Sequence, residues 1–342
     1  MKKELEILRF YCFLCVVLQH ILGSYITLHI TYETSVVLGI LFVLIKFSVP
    51  CFFFISGFVS FQRPVEEFSC GKFLKRRTLS LLVPYLVFGV IFTWWKELPL
   101  FSLDFLQKLV TGQVHYHTWY VFTLVLLYLA MPLVVALFRW LETRSKTTAL
   151  ALVLCCGALL YLAYPLFQNV PILGYLFYEK GTWNPCYYLP YFLVGALVSK
   201  GYDKVAFGKK WPFFALCTGA TFANSLYCLI EASNGKINLN FVPTISLSSY
   251  LLSFSFIFLG LCLAIFLERV EFVAKPAVCL AKFTFIAYLY HTLFMELLNK
   301  HMQELPYTVK YLSMFLLTTC LSLGAGYLWN LGQNLWKKRK KA

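Results

Sequence analysis

Arg9 and His20 stand eleven positions apart inside an otherwise apolar run, RFYCFLCVVLQH. At ~1.5 Å and ~100° per residue, a helix sets them roughly 16 Å apart along its axis and within about 20° of one direction. Ionisable side chains in a spanning helix are costly and tend to face a protein interior or a watery cavity. A neutral imidazole can take the proton of a hydroxyl near neutral pH. A guanidinium is always charged, so it can bind an anion but cannot act as a base. One face of this helix is therefore expected to line a polar tunnel from the arginine's end of the membrane to the histidine. The plainer alternatives are an Arg9 that snorkels to the interface and a His20 that only packs and hydrogen-bonds.

Three further groups carry usable chemistry. In FLKRRTLSLLVPYL, from Phe73 to Leu86, the consecutive cations Lys75, Arg76 and Arg77 make a phosphate site, the two arginines offering bidentate forks. The same three residues also serve as a topogenic cluster. HYHTWY places His117 and Trp119 at the outer end of an apolar run, where a stacking ring beside a hydrogen-bonding imidazole suits a carbohydrate and an interfacial anchor equally. No Asp, Glu or Cys is near His115 and His117 in sequence, so no metal site is expected. In FTFIAYLYHTLFMELL, Tyr288 and His291 are neighbours on one helix face and could be functional or a satisfied interhelical pair. Ser56–Gly57, within FFFISGF, permits close approach of another helix or of a ligand.

The elements that must position these residues are membrane helices. The chain of 342 residues is 60% hydrophobic and 13% charged, with a mean hydropathy of +0.72. That composition excludes a soluble globule. The net charge of +15 is split into short clusters between apolar runs, so nucleic acid is not an expected partner. Twelve cysteines show no metal-ligand or disulfide spacing. Ten apolar segments are expected to span, at about 7–29, 36–61, 79–95, 118–138, 148–167, 186–199, 212–231, 243–267, 277–299 and 309–335. With both termini cytoplasmic, the inside segments hold 22 of the 30 Lys and Arg, the outside loops six, and Arg9 and Lys46 lie in spans. The positive-inside rule then fixes the orientation. The expected fold is all-α: a polytopic helical bundle forming one domain over 1–342, in contact with membrane lipids and with no soluble catalytic domain appended.

These motifs, in this order, resemble the acyltransferase-3 family of integral membrane acyltransferases. The resemblance rests on Arg9 and His20 in the first span, FFxISGF in the second and the basic KRR leading into LLVPY. The HxWY opening of span four and YLYH in span nine complete it, so that it covers essentially the whole chain. One departure is Ser80, where many members carry another basic residue. The resemblance implies transfer of an acyl group, commonly acetyl, from cytoplasmic acyl-CoA to a hydroxyl of an envelope or extracellular polysaccharide or its lipid-linked precursor, in a bacterial cytoplasmic membrane. It implies His20 as the catalytic histidine, with Arg9 its partner facing the donor. Lys75, Arg76 and Arg77 would hold CoA phosphates, and Ser56, His117, Trp119, Tyr288 and His291 would line the acceptor side or the tunnel. Acyl-CoA enters as a substrate, no bound cofactor is implied, and a homo-oligomer is compatible. The competing function classes are a glycan or lipid-linked-sugar exporter, whose polar face would be a conduit, and a sensor or structural membrane partner.

Overall fold

The computed structural model describes residues 2–26, 32–100, 102–141, 184–232 and 247–339, with isolated positions between 144 and 155. Among the described residues all regular structure is helical. The helices are α1 (Lys3–Ile26), α2 (Tyr32–Ile45), α3 (Ser48–Ser60), α4 (Cys70–Trp95), α5 (Leu103–Thr111), α6 (Trp119–Leu129) and α7 (Met131–Leu141). They continue with α8 (Pro185–Lys200), α9 (Lys204–Gly208), α10 (Trp211–Ala232), α11 (Leu247–Leu267), α12 (Glu271–Leu280), α13 (Thr284–His301) and α14 (Tyr307–Arg339).

Seven described helical stretches are long and apolar enough to cross a membrane, and the bent pair α6–α7 makes up to eight. The expected segment 148–167 lies almost wholly outside the described residues. The segment 186–199 is α8, a helix of 16 residues, ~24 Å long and shorter than a ~30 Å hydrocarbon core. The other differences trace to proline. Segment 36–61 remains one stretch long enough to cross, Val36–Ser60, with a turn at Lys46–Phe47 between α2 and α3, where the ring of Pro50 excludes a helical bond to the Lys46 carbonyl. Segment 118–138 bends by 54° between α6 and α7, where Pro132 similarly opposes the Tyr128 carbonyl.

The chain forms two compact units, one of Met1–Phe52 with Asp203–Ala342 and one of Phe53–Tyr202. In the first, α1 is the hub and packs against α2, α11, α12, α13 and α14. Leu5, Ile7, Cys12, Phe13, Val16, Val17 and Ile21 are buried around most of its circumference. By contrast α14 leaves Leu312, Leu316, Leu321 and Leu328 exposed, a surface suited to lipid. Lys204 pairs with Glu268 and lies 3.7 Å from the buried Glu4, so the start of α1, the start of α9 and the end of α11 share one end of this unit. Between α12 and α13 the chain tightens into a 3₁₀ turn at Ala281–Phe283. α14 presses onto that turn at Gly326, where a Cβ would sit 2.7 Å from the Phe283 carbonyl oxygen.

In the second unit, α3 and α8 meet backbone to backbone. A Cβ on Gly57 would lie 1.9 Å from the Phe192 carbonyl oxygen, and one on Gly195 would lie 2.0 Å from that of Phe54. The glycine of the ISGF motif thus serves helix packing, its partner being a second glycine. At one end of this contact Ser199 donates to the Phe61 carbonyl (3.1 Å) and Lys200 to that of Arg63 (3.4 Å). Short helices are capped as their sequences dictate. The Ser102 hydroxyl accepts from the Phe105 amide, Asn184 from Cys186, and Asp203 from Val205 and Ala206.

Candidate active site

In the first unit the arginine and the histidine of α1 both meet the segment that runs from the 3₁₀ turn into α13. Arg9 donates from Nη2 to the Ala281 carbonyl (2.5 Å) and to Glu6 Oε2 (2.7 Å), its neighbour one turn earlier. Thr284 donates its hydroxyl to the same carbonyl at 2.9 Å. The same carbonyl also accepts the Thr284 backbone N–H that closes the 3₁₀ turn, so the guanidinium is its third donor. Further along, the His20 ring lies 5.1 Å from that of His291, tilted by 37°, and the Tyr288 ring lies 5.5 Å from that of His291. Residue numbers rise together from the first contact to the second, so α1 and the Ala281–His301 segment run in the same direction.

His291 is fully buried, and its Nδ1 is 2.5 Å from the Tyr288 carbonyl oxygen. A carbonyl can only accept, so Nδ1 carries the proton and Nε2 is the basic nitrogen of the neutral ring. His20 is half-buried. Between the two polar contacts the same face of α1 carries Phe13 and Val16, exposed by 0 and 1%. Both are packed against protein, so the face of α1 between Arg9 and His20 is apolar and closed, where the sequence reading expected an open polar tunnel.

The remaining expected residues fall in the second unit and form two groups. Arg77 lies over the Phe73 ring (5.9 Å to the centroid) and within electrostatic reach of Tyr128, whose hydroxyl shares a hydrogen bond with Ser56. Lys75 and Arg76 are exposed, and Ser80 donates to the Arg77 carbonyl (2.8 Å) in place of any bidentate role. In the other group His117 is buried, with its Nδ1 2.8 Å from that of His115. Trp119 packs on Tyr188 (5.2 Å between centroids), which stacks on Phe53 (4.5 Å). The loop holding both histidines turns at Gly112, whose φ of 70° is left-handed, and is tied by Thr118, which donates to the Gly112 carbonyl at 2.9 Å.

Sequence reasoning missed Glu6, the Ala281 carbonyl and Tyr128 as partners of the predicted residues. Glu6 was legible as the residue one turn before Arg9. The other two are tertiary neighbours that no local pattern marks.

Among curated proteins and among solved structures, comparison finds no match for this chain. A family model described as an acyltransferase domain matches residues 2–328, a span that holds Arg9, His20, the Lys75–Arg77 cluster, the His117–Trp119 turn and the Tyr288–His291 pair. With all of its described regular structure helical and a match over nearly its whole length, this chain belongs to the acyltransferase-3 family.

Proposed function

We propose that this protein is an O-acyltransferase of a bacterial cytoplasmic membrane, moving an acyl group, commonly acetyl, from cytoplasmic acyl-CoA to a hydroxyl of an envelope or extracellular polysaccharide or its lipid-linked precursor. The observation that carries the proposal is the pair of contacts along α1. Arg9 is held at one end by Glu6 and the Ala281 carbonyl, and His20 lies against His291 about sixteen ångströms further on.

The chemistry needs one base and good positioning, because a thioester is already an activated acyl donor. Neutral His20 accepts the proton of the acceptor hydroxyl as its oxygen attacks the thioester carbonyl. The tetrahedral intermediate collapses, the carbon–sulfur bond breaks, and the departing thiolate recovers the proton from the imidazolium. General-base assistance of this kind supplies ~10²–10⁴ in rate. His291, with its tautomer set by Tyr288, positions the His20 ring. Arg9 meets an electron-rich part of the donor.

Lys75, Arg76 and Arg77 draw the donor's phosphates to the cytoplasmic side, and Ser56, His117 and Trp119 belong to the acceptor's path. The topology that goes with this function has ten spans and both termini cytoplasmic. It is supported by the meeting of Glu4, Lys204 and Glu268 at one end of the first unit, since the basic-residue bias assigns all three segments to the inside.

The test uses purified full-length protein, labelled acyl-CoA and the glycan acceptor. His20→Ala is expected to abolish transfer at normal membrane levels. Wild-type transfer by that variant would overturn the mechanism. A glycan exporter would leave the thioester unconsumed.

A further inference from the structure

At the same end of the first unit as Arg9, a cleft of about 660 Å³ opens beside α9 and the end of α11. Its charged lining is Lys204, Lys209, Glu268 and Arg269, and its exposed aromatic walls are Trp211 and Phe266. The cations come from different places in the chain: the first residue of α9, the turn after it, and the turn after α11. Glu268, the carboxylate of this lining, is already paired with Lys204, which also reaches Glu4 on α1. Lys209 and Arg269 are exposed, and among the described residues neither is engaged in an ion pair. Arg269 lies over the Phe266 ring, 5.9 Å from its centroid, and with Lys209 beside an internally neutralised pair and the open Trp211 ring it forms a site for an anion that also carries a planar ring. Charge alone would suit a phosphate from any source, including a lipid headgroup. The open Trp211 ring adds a demand that a headgroup does not meet.

We infer that this cleft docks the nucleotide end of the acyl-thioester donor, with Lys209 and Arg269 on its phosphates and Trp211 against its base. The inference rests on the acyl-CoA reading above and adds to it a place for the donor's head. Lys204 links the cleft to the first turn of α1 through Glu4, so a donor held there lies at the end of α1 that carries Arg9. The cleft therefore sets the donor's affinity and has no part in bond making.

The test measures binding of adenosine 3′,5′-bisphosphate, CoA and inorganic pyrophosphate to full-length protein in phosphatidylcholine nanodiscs, and again with phosphatidylglycerol added. Wild type is expected to bind the nucleotides saturably in the neutral lipid. Lys209→Glu with Arg269→Glu should weaken nucleotide and pyrophosphate alike by about tenfold to a hundredfold, the loss of one or two charge-assisted contacts. Trp211→Ala should weaken the nucleotides and leave pyrophosphate unchanged. Both cations are exposed, so the thermal midpoint should stay at the wild-type value, and the milder glutamine pair should give a smaller loss in the same order.

Nucleotide binding unchanged by the double reversal would overturn the inference. So would a cleft that takes phosphatidylglycerol and no nucleotide. The enzyme reading fails separately. A protein that binds nucleotide in the cleft but transfers no acyl group refutes that reading and keeps the cleft. Transfer by the double reversal at the wild-type donor KM refutes the cleft and keeps the reading.

Discussion

The His20 ring lies 5.1 Å from that of His291, on a helix segment that also receives Arg9 through the carbonyl of Ala281. Two polar residues on one face of α1 thus meet two points of a single neighbouring segment, separated on both sides by nearly the same number of residues. Such matched spacing lets parallel helices hold both contacts without bending, and it makes the separation of arginine and histidine a property of the helix pair.

His291 is predicted to act through His20. His291→Phe keeps the ring volume and removes the Nδ1 donor to the Tyr288 carbonyl. Turnover is expected to fall by about tenfold, the scale of one oriented hydrogen bond, with the donor KM unchanged and folded protein at wild-type levels. His291→Asn, whose amide can replace that donor, should recover part of the loss. Equal turnover in the Phe and Asn variants would show that the Nδ1 bond does not matter. Steady-state kinetics on purified variants is the measurement.

At Arg9 the guanidinium satisfies a carboxylate and a carbonyl at once. Lysine offers a point charge on a flexible stem and cannot reproduce that planar geometry. Arg9→Lys is therefore expected to raise the donor KM by about tenfold, the cost of one contact to a charged group. Arg9→Ala should also leave Glu6 half-buried without its cation and lower the thermal midpoint. A lysine variant with wild-type donor KM would make Arg9 a structural anchor only.

The reciprocal fit of Gly57 and Gly195 predicts a packing failure at either position. Gly57→Ala puts a methyl group 1.9 Å from a backbone oxygen that cannot rotate away, so α3 and α8 must separate. Each single substitution should destabilise by at least the ~1–3 kcal/mol typical of overpacking. Because either change forces the same separation, the double variant should cost less than the sum of the two. Thermal unfolding monitored by size-exclusion chromatography in detergent reads all three, and a double variant that costs the full sum contradicts a shared contact.

Gly112 carries two demands at once. Its φ of 70° disfavours any side chain, and a Cβ there would sit 2.5 Å from Cβ of Phe122. Gly112→Ala should loosen the turn that Thr118 ties together and disturb the His115–His117 contact at its centre. The expected readout is a lower thermal midpoint with acceptor KM affected more than donor KM. An unchanged acceptor KM would remove that loop from the acceptor's path.

By itself, the sequence determined the helical class, the positions of most apolar stretches and the one-face relation of Arg9 and His20. These depend on composition and on the helical repeat, which act over a few turns of chain. Its span at 36–61 is present as one stretch with a turn opposite Pro50, and that at 118–138 as a pair of helices bent opposite Pro132; where each run would turn or bend was not determined by the sequence, because a proline in an apolar run can kink a helix or pass within it. Pro84 and Pro190 lie inside continuous helices. What only the tertiary structure decided is which groups the predicted residues face. The Ala281 carbonyl for Arg9, His291 for His20, Tyr128 for Ser56 and Gly195 for Gly57 are all remote in sequence, and the glycine pair is visible only once two backbones touch. Local periodicity fixes the direction in which a side chain leaves its helix, whereas the identity of its partner depends on how separate helices pack, and no pattern along the chain encodes that.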